Sequence, residues 1–312
     1  MGYTMKMIGY IAMCLLSLIP AVLLAQGMPI TNEAARLCKQ KMYVDALAKA
    51  DEAAGSKEER NDAYTWYVNG FVHKEIYKER EVGVRQSQHR VNAEASFMQA
   101  LKQSNAAKYD SMIKFALKYL ASTYYNDALQ CSQTITSKNE KEARILFDDF
   151  KRVMIVAEPT TDFKIYEKEF TKSIGQRYFS LWQMDTKNIE LRELAASQYE
   201  SIVLMDTSDS DAYYNLAVIY YNQAVFMYRK LGPDMDMFDS ITLQEEASKL
   251  IRTKSLPYME RAYELAPEKG EIVRGIMMMH RALDHEKDVE YFKKEIERLI
   301  NEGKIKSDQH KP

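Results

Sequence analysis

The chain is 312 residues long and carries 43 Lys and Arg against 45 Asp and Glu, a formal net charge of −2. That balance excludes the concentrated basic surface a nucleic-acid backbone requires. Only 11 Gly and 7 Pro exclude a loop-rich β fold in a chain otherwise rich in helix-favouring Ala, Leu, Glu, Lys, Gln and Met.

Residues 1–27 read as a signal peptide. Lys6 gives a short positive start, Met7 to Leu24 is apolar apart from Gly9, Ser17 and Pro20, and Ala25-Gln26-Gly27 offers a small-residue cleavage site after Ala25 or after Gly27. The mature product is then expected in the periplasm or cell envelope, or outside the cell. A retained signal anchor is the alternative. Cys14 follows Met13 where a lipobox wants a small residue, so lipidation is not expected. Cys38 and Cys131 remain, and they read as two buried thiols in different hairpins, too far apart to bridge.

From Thr31 a helical stretch runs with Thr31 or Asn32 as N-cap, and a second helix from Tyr43 stops at Gly55-Ser56. Asp62 caps the next unit, in which Trp66-Tyr67-Val68-Asn69-Gly70 leads to a second helix carrying Ala93, Phe97 and Ala100. The polar run Glu79–Gln88 between them is a first insertion. Ser111 to Ile135 reads as a third hairpin, with Tyr119 in its first helix and Tyr125 and Ala128 in its second. An amphipathic helix over Asn139–Ala157 follows, without an assigned partner. A break at Glu158–Asp162 divides an N-terminal half, 28–157, from a C-terminal half, 158–304. Helices then run over Phe163–Met184 and Ile189–Met205, and a helix through Tyr213 and Phe226 ends at Gly232-Pro233. A second insertion has a helical stretch over Thr242–Arg252, and the unit closes at Ala262, Leu265 and Pro267. Gly270–Leu283 and Asp288–Ile300 form the last hairpin, and 305–312 is read as a disordered tail.

Tyr213-Tyr214-Asn215-Leu216-Ala217 with Tyr220, preceded by Ala195, Tyr199 and Ile202 at spacings of four and three, resembles the tetratricopeptide repeat, a helix-turn-helix unit of about 34 residues. Trp66 to Gly70 and the ending at Pro267 resemble it too. The resemblance implies an all-α solenoid of about six such hairpins with two helical insertions, in which Gly70, Ala195 and Ala217 are small because neighbouring helices nearly touch there. It makes most of the 21 Tyr packing residues. In that family ligands usually lie on the concave face of the first helices. Carried over by motif position, that face comprises Tyr64, Tyr67, Phe71 and Lys74, then Asp211, Tyr214, Val218 and Tyr221, then Arg274, Met278 and Arg281. About half of these are expected to pack on neighbouring helices instead.

No phosphate loop, nucleophile elbow, zinc-protease helix or paired-cysteine site is present in the sequence. His280 and His285, five apart, fall off a common helix face, so no two-histidine metal site is expected there. His73 reads as a packing or groove residue. The runs Asp206, Asp209, Asp211 and Asp234, Asp236, Asp239 are oxygen-rich but lack the glycine and distal glutamate of an EF-hand, and caps and turns account for them. The expectation is therefore a non-enzymatic exported scaffold that binds a protein or peptide, without cofactor, metal or nucleic acid, and meeting the membrane only through association or an uncleaved anchor. The alternative is a glycan- or small-ligand-binding envelope protein.

Overall fold

The computed structural model describes residues 28–135, 140–232 and 234–306. Residues 1–27, where a signal peptide is expected, and the end of the tail, from 307, lie outside the described residues. Among the described residues there is no strand, and the helices pair into antiparallel hairpins. The architecture is an all-α array of antiparallel helical hairpins. It forms two compact units, one running up to Ala121 and taking in Val153–Pro159, the other made of Ser122–Arg152 and everything from Thr160.

In the first unit α1 (Pro29–Lys39) pairs with α2 (Tyr43–Gly55), and α3 (Ala63–Ile76) pairs with α4 (Gln88–Leu101). The start of α1 departs from the sequence reading. Thr31 lies inside the helix, and its N-terminal donors are taken from a distance by Glu59, in the turn before α3. The buried Glu59 carboxylate accepts from the N–H groups of Ile30 (3.1 Å) and Thr31 (2.9 Å) and from the Thr31 hydroxyl (2.6 Å). A carboxylate at a helix N-terminus satisfies orphan donors and complements the helix dipole. Asp62 caps α3 as expected, accepting from the Tyr64 N–H at 2.8 Å.

The first insertion is short and tightly held. α3 passes into a π-helical turn, Tyr77–Glu81, and the chain reverses through Gly83, whose φ of +87° favours glycine. Ser87 caps α4. Fully buried Arg90 anchors the loop, donating to the Arg85 carbonyl at 2.5 Å and to the Tyr77 hydroxyl at 3.3 Å.

The third hairpin expected over Ser111–Ile135 is corrected. α5 (Asp110–Gln133) is one continuous helix of 24 residues, because Leu120 to Tyr124 contains no glycine, proline or other breaker. Its partner is the helix left unassigned, α6 (Glu140–Ala157). In the first unit Lys118 pairs with Glu158 at 2.5 Å. In the second the Tyr125 ring lies 4.9 Å from that of Phe150, and Cys131 Sγ lies 3.9 Å from the Glu142 carboxylate. The descending numbers of these partners describe an antiparallel pair.

The second unit continues with α7 (Lys164–Met184) on α8 (Ile189–Met205), and α9 (Ser210–Tyr228) on α8. The helix of the second insertion begins earlier than the expected Thr242. Asp236 accepts from the Phe238 N–H at 2.8 Å and starts α10 (Met237–Leu250), which runs through a π-helical turn, Ile251–Ser255, straight into α11 (Leu256–Leu265). Pro257 stands in the first turn of α11, directly after the π-helical turn, where the regular i→i−4 ladder is already interrupted. α11 closes on α9, and α12 (Gly270–Ala282) pairs with α13 (Glu286–Asn301). Ile305 packs against Gly270, and Arg274 donates to the Lys306 carbonyl at 2.8 Å.

Small residues stand where helices meet. A Cβ on Gly70 of α3 would lie 2.9 Å from the Phe97 ring and 3.0 Å from the Ala93 carbonyl of α4. One on Gly175 of α7 would lie 3.1 to 3.3 Å from Gln198 and Tyr199 of α8. Ala195 and Ala217 are fully buried, and the Ser255 hydroxyl donates to the Ala217 carbonyl at 2.8 Å. Cys38, which lies on the first helix of its hairpin, and Cys131 are both buried, and neither is in a disulfide. Burial pushes the Cys38 thiol up to about 12, so it is not a reactive thiolate at neutral pH.

Candidate functional site

The face of first helices divides between the two units. In the first unit α3 turns one side of its helix outward, and the spacing 64, 67, 71, 74 places four residues along it. Their rings form a continuous row. Tyr64 lies 5.5 Å from Tyr109 and 6.5 Å from Tyr67, and Tyr67 lies 6.0 Å from both Phe71 and Phe97. Lys74 ends the row, its ammonium 4.5 Å from the Phe71 centroid and 5.4 Å from that of Tyr119, with Glu75 as ion-pair partner. Tyr67 itself is only 6% exposed, so it is a core residue beneath the surface, while Tyr64 and Phe71 are half-buried and the Lys74 side chain is mostly covered. Burial pushes the hydroxyls of Tyr64 and Tyr119 up, the latter to about 12. They are neutral hydrogen-bonding groups on an aromatic surface.

In the second unit Tyr214, Val218 and Tyr221 are half-buried along α9 and pack at the edge of the core around Ala217, Met259 and Ile276. Tyr221 lies within electrostatic reach of Arg281 on α12, and Met278 and Arg281 are exposed. Two other members of the set are committed within the chain. Asp211 is held by Lys172 at 2.9 Å and by Lys269 at 2.6 Å, and Arg274 reaches the Lys306 carbonyl. The structure thus brings Tyr214, Tyr221 and Arg281 to one side of the second unit and ties Asp211 and Arg274 into neighbouring turns.

The acidic turn before α9 has partners of its own. Lys168 of α7 contacts Asp206 at 2.9 Å and Asp209 at 3.0 Å. The Ser208 hydroxyl, then Lys168 and the Ser208 N–H, hold the Asp206 carboxyl well below the usual carboxylate range. Asp209 also caps α9 through the Ala212 N–H at 2.9 Å. These oxygens serve as caps and as a lysine ladder from α7 to the turn before α12, which is a structural use of the sequence expected from their positions.

Several features escaped the sequence reading. Tyr109 and Tyr119 extend the aromatic row of the first unit, but their proximity to α3 follows from how α5 packs, not from a motif. On α10 Met237 and Phe238 are 77% and 75% exposed, an apolar tip that its place beside the Asp236 cap could have signalled. A cleft lined by Trp182, Asn222, Phe226 and Arg229 opens between α7 and α9. Two histidine pairs are also present, His73 with His89 (Nδ1 to Nδ1 2.9 Å) and His280 with His285 (3.1 Å). His280 lies on α12 and His285 just before α13, so the two do not share one helix. A turn separates α12 from α13 and folds the two rings together.

Among the described residues no helix is long and apolar enough to cross a membrane. No protein-family model matches the chain, and no curated protein sequence does. Among solved structures, the chain is similar to the crystal structure of a TPR repeats protein from Bacteroides fragilis, at 20% identity and a TM-score of 0.46, over 81% of this chain and 96% of that one.

Proposed function

We propose that this protein is a non-enzymatic, exported scaffold that holds another protein or a peptide in the periplasm or cell envelope. The array of repeat-like hairpins supports an interaction role, since such arrays present extended faces rather than enclosed pockets. The observation that carries the reading is the row Tyr64, Phe71 and Tyr119, half-buried rings on one side of α3 that end at Lys74, whose side chain keeps 13% exposure. Aromatic side chains held rigidly by their neighbours give large contact area at low entropic cost, which is how interface anchors work. The apolar run from Met7 to Leu24 supports export.

The test is a pulldown from envelope extracts with the wild type, Tyr64→Ala/Phe71→Ala and Met278→Ala/Arg281→Ala, each checked for helicity. Tyr67 is unsuitable because its removal would open the core. We expect the α3 variant to bind a specific partner about a hundredfold more weakly, as removal of two anchors of about 1.5 kcal/mol each would produce. Equal recovery of every partner by all three proteins would remove this face from consideration.

A further inference from the structure

The turn between α12 and α13 is closed by a backbone bond from the His285 N–H to the His280 carbonyl, 3.0 Å, with Asp284 in the left-handed region at φ 57°. The first hairpin closes its turn in the same way. There Lys41 has φ 62° and the Met42 N–H donates to the Leu37 carbonyl at 3.0 Å. In this kind of helix stop the two residues joined by the backbone bond ordinarily make an apolar contact, and Leu37 with Met42 is an apolar pair. In the last hairpin two imidazoles occupy those positions.

The rings meet through their Nδ1 atoms, 3.1 Å apart. The Asp288 carboxylate, from the first turn of α13, reaches to 3.7 Å from His280 Nδ1, and the ligand atoms of all three residues lie within 4.8 Å of one another. Two nitrogens bound to one tetrahedral zinc at about 2.0–2.1 Å stand about 3.3 Å apart, so small ring adjustments would suffice. His280 is buried and stacks on Phe292, with centroids 5.5 Å apart and planes 17° from parallel. His285 is fixed by the turn, its carbonyl accepting from Asp288 and Val289. The Asp288 side chain is 55% exposed, which leaves a path of entry from solvent.

We propose that His280, His285 and Asp288 bind one late first-row divalent ion of the zinc class, with water completing the coordination. Two imidazoles and a carboxylate suit such an ion better than calcium or magnesium, which take oxygen ligands. The ion would clamp α12 to α13 across their turn.

The full mature chain, stripped by chelator, is titrated with zinc by calorimetry and with cobalt by visible absorption. His285→Met is the first variant because Leu37 and Met42 fill the equivalent positions in the first hairpin, so its metal-free Tm should match the wild type. The exposed Asp288→Asn is the second, and it does not threaten the core. We expect His285→Met to bind one equivalent of zinc fewer than the wild type, Asp288→Asn to bind that equivalent at least tenfold more weakly, and zinc to raise Tm through this site most in the wild type, less in Asp288→Asn and not in His285→Met. Wild-type protein without saturable zinc binding and without cobalt bands would show a purely hydrogen-bonded histidine pair and overturn the proposal. So would unchanged stoichiometry and affinity in both variants.

Discussion

Gly70 and Gly275 are both mid-helix, yet a methyl group would meet different surroundings at each. At Gly70 it would press on the buried Phe97 ring at 2.9 Å and on a backbone carbonyl at 3.0 Å, neither of which can retreat. At Gly275 the contacts are the terminal Cε of Met259 at 2.7 Å and its Sδ at 3.2 Å, the flexible end of an unbranched side chain. Alanine gains about 1 kcal/mol over glycine in a helix at both positions, while forced overpacking costs about 1–3 kcal/mol. Gly70→Ala should therefore lower the unfolding free energy read from urea titration by a net of about 0–2 kcal/mol, and Gly275→Ala should stay within about 1 kcal/mol of the wild type. A stabilised Gly70→Ala would mean that α3 and α4 are not in close contact at this point.

At the scale of elements, α3 and α4 are joined by polar contacts as well as by packing. Buried Asn69 donates to Asp51 of α2 at 2.9 Å and accepts from Ser96 of α4 at 2.7 Å, and His73 meets His89 across the same pair of helices. Burial, then the neighbouring His89, lowers the affinity of His73 for a proton, with Asp51 opposing. Protonating both rings would also place two Nδ1–H groups against each other. In the unfolded chain His73 titrates near the usual value of about 6.5, so between that pH and its lower folded value the unfolded state binds more protons. Stability must then fall as pH drops from 7 towards 5. Urea midpoints measured across that range should show the decline, and His73→Gln should flatten it. A variant with the same slope as the wild type would locate the pH dependence elsewhere.

For the whole molecule, an exported scaffold requires that the segment before α1 be removed or left as an anchor. Protein recovered from the envelope fraction of its native cell should begin at Gln26 or Met28, as read by N-terminal mass spectrometry. Recovery from the cytosol with residues 1–27 intact would refute export and leave only the interaction role. Each unit has its own buried core, in the first around Phe97, Ile113 and Leu117 and in the second around Ile174, Ile202 and Leu216.

Local chemistry alone determined the all-α class, the pairing of most hairpins and the small residues at the crossings, because helix periodicity, caps and glycines act over a few residues. Asp62, Gly70, Ala195 and Ala217 could be read that way. Where a signal depends on what is missing, the reading failed. No breaker separates Tyr119 from Tyr125, so α5 is one helix, and its partner α6 became recognisable only once that was seen. The candidate face was legible as a spacing, but Tyr67 proved buried, and Asp211 and Arg274 proved bound to Lys172, Lys269 and Lys306. Glu59 beneath α1, Tyr119 beside Lys74 and His285 against His280 lay beyond any pattern, since those contacts arise when turns and neighbouring hairpins bring together residues that no common helix face relates.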